Sequence, residues 1–266
     1  MNHLQLFPCS ELQPYIHSFI CVRSQNEWSD QQSFRIIADG NPGLVFQENQ
    51  SSFLGNSGEI LPQLFLHGLV TKYIDKTAIN CYSNITVCFQ PYGLKSIFGI
   101  NASELTNSYT DLNAIFKTEL TGRLSETNSF NEKVGILSKF LLDCIAKNKK
   151  YNTDICFIIK ALKTDHTVSF LKNLCLDLKI SERSLERIMQ SYVGVSPKQF
   201  SRISRFQSAL NCLYNQPVSR LSDIAYAFHY SDQSHYIREF REFSGLSPKQ
   251  FVKQSSPIQN FIAKSS

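Results

Sequence analysis

One heptapeptide occurs twice in this chain. Gly194-Val195-Ser196-Pro197-Lys198-Gln199-Phe200 returns 51 residues later as Gly245-Leu246-Ser247-Pro248-Lys249-Gln250-Phe251, identical at six of seven positions. Its chemistry is that of a helix-to-helix corner. Glycine takes the left-handed conformation just past a helix end, serine caps the next helix, proline suits its first position, and glutamine at the third closes a capping box. Each copy therefore marks one helix ending and another beginning, so a fold for this half must accommodate the same corner twice.

The flanking pattern repeats as well. Upstream of the two copies the spacing predicts helices of matched length, Ser181 to Tyr192 and Asp232 to Phe243. At the same offset Arg187 coincides with Arg238, and Met189 with Phe240. Before each lies a shorter amphipathic segment, Val168 to Leu178 and Leu221 to Phe228, joined through Lys179-Ile180 and His229-Tyr230. Two short helices about a tight turn make a helix-turn-helix. Two such motifs are expected here, connected by a longer helix from about Pro197 to Asn215.

The faces of the second helices separate a helical array used for protein contacts from a reader of nucleic acid. Arg183, Glu186, Arg187 and Gln190 share one face of the first, with Leu185, Ile188 and Met189 opposite. Gln233, Ser234, Arg238 and Arg241 share one face of the second, with Tyr236, Phe240 and Phe243 opposite. Such helices pack one side into a small core and lay the other in a major groove, where Arg reads guanine and Gln reads adenine. The charge agrees. The net +5 resides in the C-terminal part: residues 1–150 hold 12 Lys and Arg against 13 Asp and Glu, residues 151–266 hold 15 against 9, and no acidic residue falls between Glu186 and Asp223. A cationic face concentrated in one unit points to a polyanion partner.

The first 90 residues read as short strands. Phe34–Ala38 and Leu44–Gln47 flank Asp39-Gly40-Asn41-Pro42-Gly43 and look like two strands around a turn. Ile85, Val87 and Phe89 alternate with Thr86, Cys88 and Gln90, the period of a half-buried strand. The expected class is α+β with two domains: an N-terminal antiparallel β barrel or sandwich followed by helices, then an all-α double helix-turn-helix. Asn101 with Glu104, and Ser129 with Glu132, are candidate caps for those following helices. The second would carry an apolar stripe of Phe130, Val134, Leu137, Leu141 and Ile145. The boundaries expected are 1–147 and 153–266, with a polar linker at 148–152.

Other chemistries find little support. The eight cysteines include no C-x-x-C pair, and His3, His17, His67, Cys81 and Cys88 are too dispersed to nominate as metal ligands. H-E-x-x-H, G-x-S-x-G, Walker and G-x-G-x-x-G motifs are all missing, so neither an enzyme nor a cofactor is expected. The aromatics of the first half, among them Phe34, Phe46, Phe53, Phe65, Tyr82, Phe89 and Tyr92, read as core, although a barrel interior could also hold a ligand. Met1-Asn2-His3-Leu4-Gln5 has neither a basic leader nor an apolar signal core, and no apolar run reaches the roughly 20 residues of a membrane helix. A soluble, cytoplasmic protein without a membrane partner is expected.

Leu221-Ser222-Asp223-Ile224-Ala225, Tyr230-Ser231-Asp232-Gln233-Ser234-His235-Tyr236, Arg238, Phe240 and the second heptapeptide resemble the AraC/XylS family of bacterial transcription regulators, over about residues 166–252. The family usually has glycine in each helix-turn-helix turn, where this chain has Lys179 and His229. The resemblance implies that Arg183, Glu186 and Arg187 in the first recognition helix, and Gln233, Ser234, His235 and Arg238 in the second, contact base edges or phosphates of double-stranded DNA. Glu186 would accept from cytosine N4 or pair with a neighbouring cation; His235 would touch the backbone or sit exposed. Lys198, Arg202 and Arg205 would position phosphates.

Leu12-Gln13-Pro14-Tyr15-Ile16-His17-Ser18-Phe19, Arg35-Ile36-Ile37-Ala38-Asp39-Gly40 and Phe89-Gln90-Pro91-Tyr92-Gly93-Leu94 with Phe98-Gly99-Ile100 resemble a poorly characterised subgroup of the same family. Many relatives carry a cupin-like barrel that binds a small effector. The resemblance thus implies a sensor or oligomerisation domain, a small-molecule effector, a homodimer, and RNA polymerase as a partner for an activator. Two alternatives stand beside it: a DNA-binding module fused to a methyl-transferring repair enzyme, and a DNA-binding protein whose N-terminal half only dimerises.

Overall fold

Strand alternation organises the N-terminal half. The computed structural model describes residues 2–24, 32–49, 52–55, 58–78, 81–148, 153–164, 170–215 and 220–254. Its strands are β1 (Asn2–Leu6), β2 (Ile16–Arg23), β3 (Gln32–Ile36), β4 (Gly43–Gln47), β5 (Phe53–Leu54), β6 (Leu64–His67), β7 (Ile74–Ala78), β8 (Ser83–Phe89) and β9 (Tyr109–Asp111). Six form an antiparallel sheet in the order β1-β2-β8-β4-β6-β9, and three form a second in the order β3-β7-β5. Among the described residues the large sheet does not close on itself, so the two-sheet arrangement holds and the barrel does not.

The register explains the burial. Phe19 pairs with Val87, Val87 with Leu44 and Leu44 with Leu66; one step along, Cys21, Ile85, Phe46 and Leu64 line up in the same way. These two rows share a core cluster with Leu94, Ile97, Leu137 and Leu141 of the helices that follow. The intervening residues Ile20, Val22 and Phe65 face the other way, onto Phe53 and Ala78 of the small sheet. A period of two thus gives the large sheet two dry faces.

Phe34–Ile36 and Leu44–Gln47 do become strands, while Ile37 and Ala38 do not, and the two strands form no hairpin. β3 pairs with β7 in the small sheet while β4 pairs with β6 and β8 in the large one. Residues 37–42 therefore cross between sheets, and Ile37 and Ala38 are buried in the core of the C-terminal helices.

The α-helices are α1 (Leu112–Ile115), α2 (Leu120–Ser125), α3 (Phe130–Asn148), α4 (Thr153–Thr164), α5 (Phe170–Asp177), α6 (Glu182–Tyr192), α7 (Pro197–Asn215), α8 (Leu221–Ala227), α9 (Gln233–Ser244) and α10 (Pro248–Gln254). A π turn at Leu94–Phe98 and a 3-10 turn at Ala102–Glu104 precede them. Asn101 heads only that short turn, its amide donating to Glu104. Ser129 accepts from the Glu132 N–H, but the Glu132 carboxylate is taken by Thr127, so that capping box is half made. The first residue of the expected linker, Asn148, still belongs to α3, and its amide donates to Lys95 and Ser96 carbonyls. Residues 149–152, and Val168 at the head of the expected helix, lie outside the described residues.

The C-terminal half is two helix-turn-helix motifs, α5-α6 and α8-α9, about α7. Lys179 and His229 hold φ of 54° and 56°, the left-handed geometry that glycine adopts without strain. Both side chains are exposed, so truncating them costs no burial. Lys179→Gly and His229→Gly are each expected to raise stability by about 0.5–1 kcal/mol, relief of strain exceeding the added unfolded-state entropy. Urea denaturation of the two single variants checks this.

Candidate nucleic-acid interface

Both recognition helices are capped by their own sequence. The Ser181 hydroxyl accepts from the Ser184 N–H at 3.2 Å, and the Asp232 carboxylate accepts from the His235 N–H at 2.7 Å. That bond holds the Asp232 carboxyl below its ordinary range. Past the helices, Gly194 and Gly245 take left-handed φ of 90° and 75°. In the second copy Gln250 accepts from both the N–H and the hydroxyl of Ser247, closing the box. In the first, Ser196 accepts from the Gln199 N–H while the Gln199 carboxamide turns to Arg202.

The buried sides carry Leu185 and Met189 on α6, and Tyr236, Phe240 and Phe243 on α9, where Glu239 and Ser244 are buried beside them. On the outer sides Arg183, Glu186, Arg187 and Gln190, then Gln233, Ser234 and Arg238, are exposed. None of Arg183, Glu186, Arg187 and Arg238 makes an ion pair among the described residues. Lys198, at the start of α7, is exposed too. His235 is half-buried: its Nδ1 accepts from the Ser231 N–H at 3.3 Å and its ring meets Tyr230 edge-on.

Arg202 and Arg205 stand apart from these. Arg202 donates to Glu239 at 2.9 Å and to Glu242 at 2.6 Å, and Arg205 donates to both Glu239 oxygens at 2.8 and 2.9 Å. Their guanidinium groups lie over Phe243 and Tyr230, at 5.2 and 4.3 Å from the ring centres. The structure thus places them inside the α7–α9 junction, with their donors already engaged. The sequence signal was available in retrospect, two arginines three residues apart on one helix and two glutamates three apart on another.

The N-terminal unit touches the equivalent corner of both motifs, a feature the sequence reading missed. Thr106 donates to the Gly194 carbonyl at 2.9 Å, and Ser191 donates to Asn101 at 3.1 Å. At the second corner Arg35, held bidentately by Asp75 and stacked over Tyr73, lies beside Gly245. Between them the Ala38 N–H donates to the Phe243 carbonyl and the Ala38 carbonyl accepts from Gln207. Desolvation there raises the Asp39 carboxyl to about 6, against the hydrogen bond from Asn41 and the nearby Lys163 ammonium, which lower it.

Three buried or half-buried thiols are the reverse of activated. Burial pushes Cys21 and Cys144 up to about 11 and Cys88 to about 12, away from the thiolate a nucleophile needs. Among the described residues no group of three or more His, Cys, Asp or Glu is placed to hold a metal ion. No described helix is long and apolar enough to cross a membrane.

A tight-turned helix pair with an exposed cationic second helix, repeated about one long connecting helix, defines a double helix-turn-helix protein. Residues 174–254 match the profile of a helix-turn-helix domain. Residues 4–111 match a domain of unknown function (DUF6597). An uncharacterised helix-turn-helix-type transcriptional regulator of Haemophilus influenzae is 30% identical over 110 residues, 41% of this chain and 36% of its own. The chain thus spans about a third of the length of the curated relative it matches. Two structures of ToxT from Vibrio cholerae are also similar. An apo form carrying a lysine-to-alanine substitution is 13% identical, covering 90% of this chain and 98% of its own at a TM-score of 0.45. The form with unsaturated fatty acid bound is 12% identical, covering 88% and 94% at 0.45.

Two outcomes are expected from this geometry. A Cβ at Gly194 would stand 2.8 Å from the Ala102 carbonyl oxygen, a backbone atom, whereas one at Gly245 meets chiefly the Arg35 guanidinium. Both positions carry the left-handed strain, but only the first also forces backbone apart. Gly194→Ala should cost about 3 kcal/mol or more and Gly245→Ala about 1–2, compared by thermal melting. For Asp39, the native state keeps a proton that the unfolded chain releases near pH 4, so stability falls as pH rises from about 4 to about 6. Asp39→Asn should flatten that slope, worth about 3 kcal/mol across the window, in urea titrations at stepped pH.

Proposed function

We propose that this chain is a sequence-specific DNA-binding transcription regulator whose helices α6 and α9 enter successive major-groove segments, about one turn or 34 Å apart, on one face of the duplex. The observation that carries the reading is the duplicated motif presenting exposed, unpaired Arg183, Arg187 and Arg238 on the outer faces of its two second helices. In this reading Arg183, Glu186 and Arg187 face one segment and Gln233, Ser234 and Arg238 the other. His235, turned back onto Ser231, serves the phosphate side of its helix. Lys198 and the helix N-termini hold phosphates. Arg202 and Arg205 act within the protein, because an engaged guanidinium must break its pairs before meeting DNA.

The N-terminal unit serves as the controlling part, through a small effector or self-association. Its contacts to both Gly194 and Gly245 support this, since a change there reaches both reading heads through packed atoms.

Selection from a random duplex library, followed by anisotropy titration across salt concentrations, tests the reading. An enriched motif with two short blocks about a turn apart is expected, with affinity falling steeply as salt rises. Arg187→Ala and Arg238→Ala should each lose about 1–3 kcal/mol on the selected site, and relax the base preference of their own block. Unchanged specific binding in both variants would overturn the helix assignment.

A further inference from the structure

The inner face of α9 holds one residue that packing does not call for. Tyr236, Phe240 and Phe243 are fully buried there, as a small core requires, and Glu239 is buried among them with its side chain 1% exposed. In the first motif the matching position, 51 residues earlier, is Ile188. An apolar side chain therefore suffices for the fold of this element, and taking a carboxylate out of water is costly unless something compensates it.

The compensation is directional. Glu239 Oε2 accepts from Arg202 Nε at 2.9 Å and Arg205 Nη2 at 2.8 Å, while Oε1 accepts from Arg205 Nε at 3.1 Å and Nη2 at 2.9 Å. Both arginines come from α7, and each is itself pinned: Arg202 by Glu242 and Phe243, Arg205 by Tyr230 at the turn of the same motif. Burial of apolar surface between α7 and α9 is non-directional and the ring pairs constrain rotation only weakly, so this packing alone tolerates small sliding and rotation. A planar guanidinium on a carboxylate tolerates neither. Glu239 adjoins Arg238 in sequence and lies one turn beyond His235, whose Nε2 is 3.8 Å from its carboxylate. The group that fixes the rotation of α9 therefore also fixes where its outer residues point.

Helix α7 leads directly out of the first motif, its first turn capped by Ser196. Clamping α9 to α7 thus sets the second recognition helix relative to the first. We infer that Glu239 is a positioning residue that, with Arg202 and Arg205, sets the register between the two recognition helices and hence the spacing of the DNA blocks the protein accepts. The inference rests on the DNA-reading function proposed above. It assigns the buried charges to specificity, a role distinct from adding stability.

Full-length chain separates the roles. The variants are Glu239→Gln and the combined Arg202→Met, Arg205→Met, Glu239→Leu, which replaces the buried charges by apolar groups of similar length. Each is titrated against the selected two-block duplex, against duplexes with the spacer changed by one or two base pairs, and against a duplex keeping only the block read by α6. Melting temperature is recorded alongside. The apolar variant is expected to melt at or above the wild-type temperature and to bind the single-block duplex within about twofold of wild type. On the two-block duplex it should lose tenfold or more, with its spacer preference flattened; Glu239→Gln should shift the same way.

Wild-type affinity and wild-type spacer preference in the apolar variant would overturn the inference. So would parallel losses on both blocks that track a lowered melting temperature in both variants, which would make the cluster merely structural. Absence of any two-block motif for the wild-type chain would instead overturn the DNA-reading function, and this inference with it.

Discussion

Everything in the C-terminal half is built on the burial of α7. Phe200, Ile203, Phe206, Ala209 and Leu210 are each 1% exposed or less, and they point in more directions than one stripe allows. Phe206 meets Phe240 and Phe243 of the second motif at 5.2 and 5.3 Å between ring centres. Leu185, Met189 and Val193 of the first motif join the same cluster, and so do Ile37 and Ala38 from the N-terminal half. A lone helix-turn-helix of two short helices buries too little surface to stand by itself. Sharing α7 gives both motifs one core, in which each fully buried Phe or Ile contributes about 2–3 kcal/mol. The relative placement of the reading heads is then a property of α7 and of what is bolted to it.

Charge enters in the same geometry. The stretch between Glu186 and Asp223 has no acidic residue, and along the sequence it resembles an open cationic surface. In space its central arginines are neutralised by Glu239 and Glu242, which come 34 to 40 residues later in the chain. The exposed Arg183, Arg187, Lys198, Arg238 and Arg241 contribute to the field that a polyanion would meet, together with exposed Lys172, Lys179, Arg220 and Lys249. These exposed cations face solvent, while the buried pairs hold the helices that display them.

What could be read from sequence was whatever is local. The capping residues Ser181 and Asp232, the glycines Gly194 and Gly245 and the apolar faces of α6 and α9 follow from chemistry within a few residues, and each lies where that chemistry puts it. The alternation of Ile85, Val87 and Phe89 likewise yields β8 with its buried face. Apart from the capping boxes at Ser129 and Ser196, each left half made by a near neighbour, the failures are nonlocal. Phe34–Ala38 and Leu44–Gln47 flank a Gly/Pro-rich segment that has every mark of a hairpin turn, yet the partner of each strand lies elsewhere in sequence. Lys179 and His229 depart from the expected glycine, and the fold imposes the left-handed geometry on them regardless. The arginine pair on α7 and the glutamate pair on α9 are each legible, but nothing near Arg202 says that its partner carboxylate lies 37 residues away.

The two glycine corners illustrate how one local motif serves two different attachments. Gly194 is enclosed by backbone, the Ala102 carbonyl and Thr106, so the end of α6 cannot move without moving the 102–106 segment. Gly245 faces a guanidinium whose partner Asp75 is half exposed, an ion pair that solvent weakens and that rotamer changes can remake. At the glycine itself the first motif is therefore held stiffly and the second compliantly, although the second also takes a backbone hydrogen bond from Ala38 at Phe243. The second depends correspondingly more on its grip on α7, which is where the buried carboxylate of Glu239 sits. Stiffness in this molecule is unevenly shared: a displacement within the N-terminal unit reaches α6 through backbone contact. α9 receives the same displacement through the yielding Arg35 side chain and a single backbone bond from Ala38 to Phe243, while aromatic packing and four charge-assisted hydrogen bonds to Glu239 keep it seated on α7.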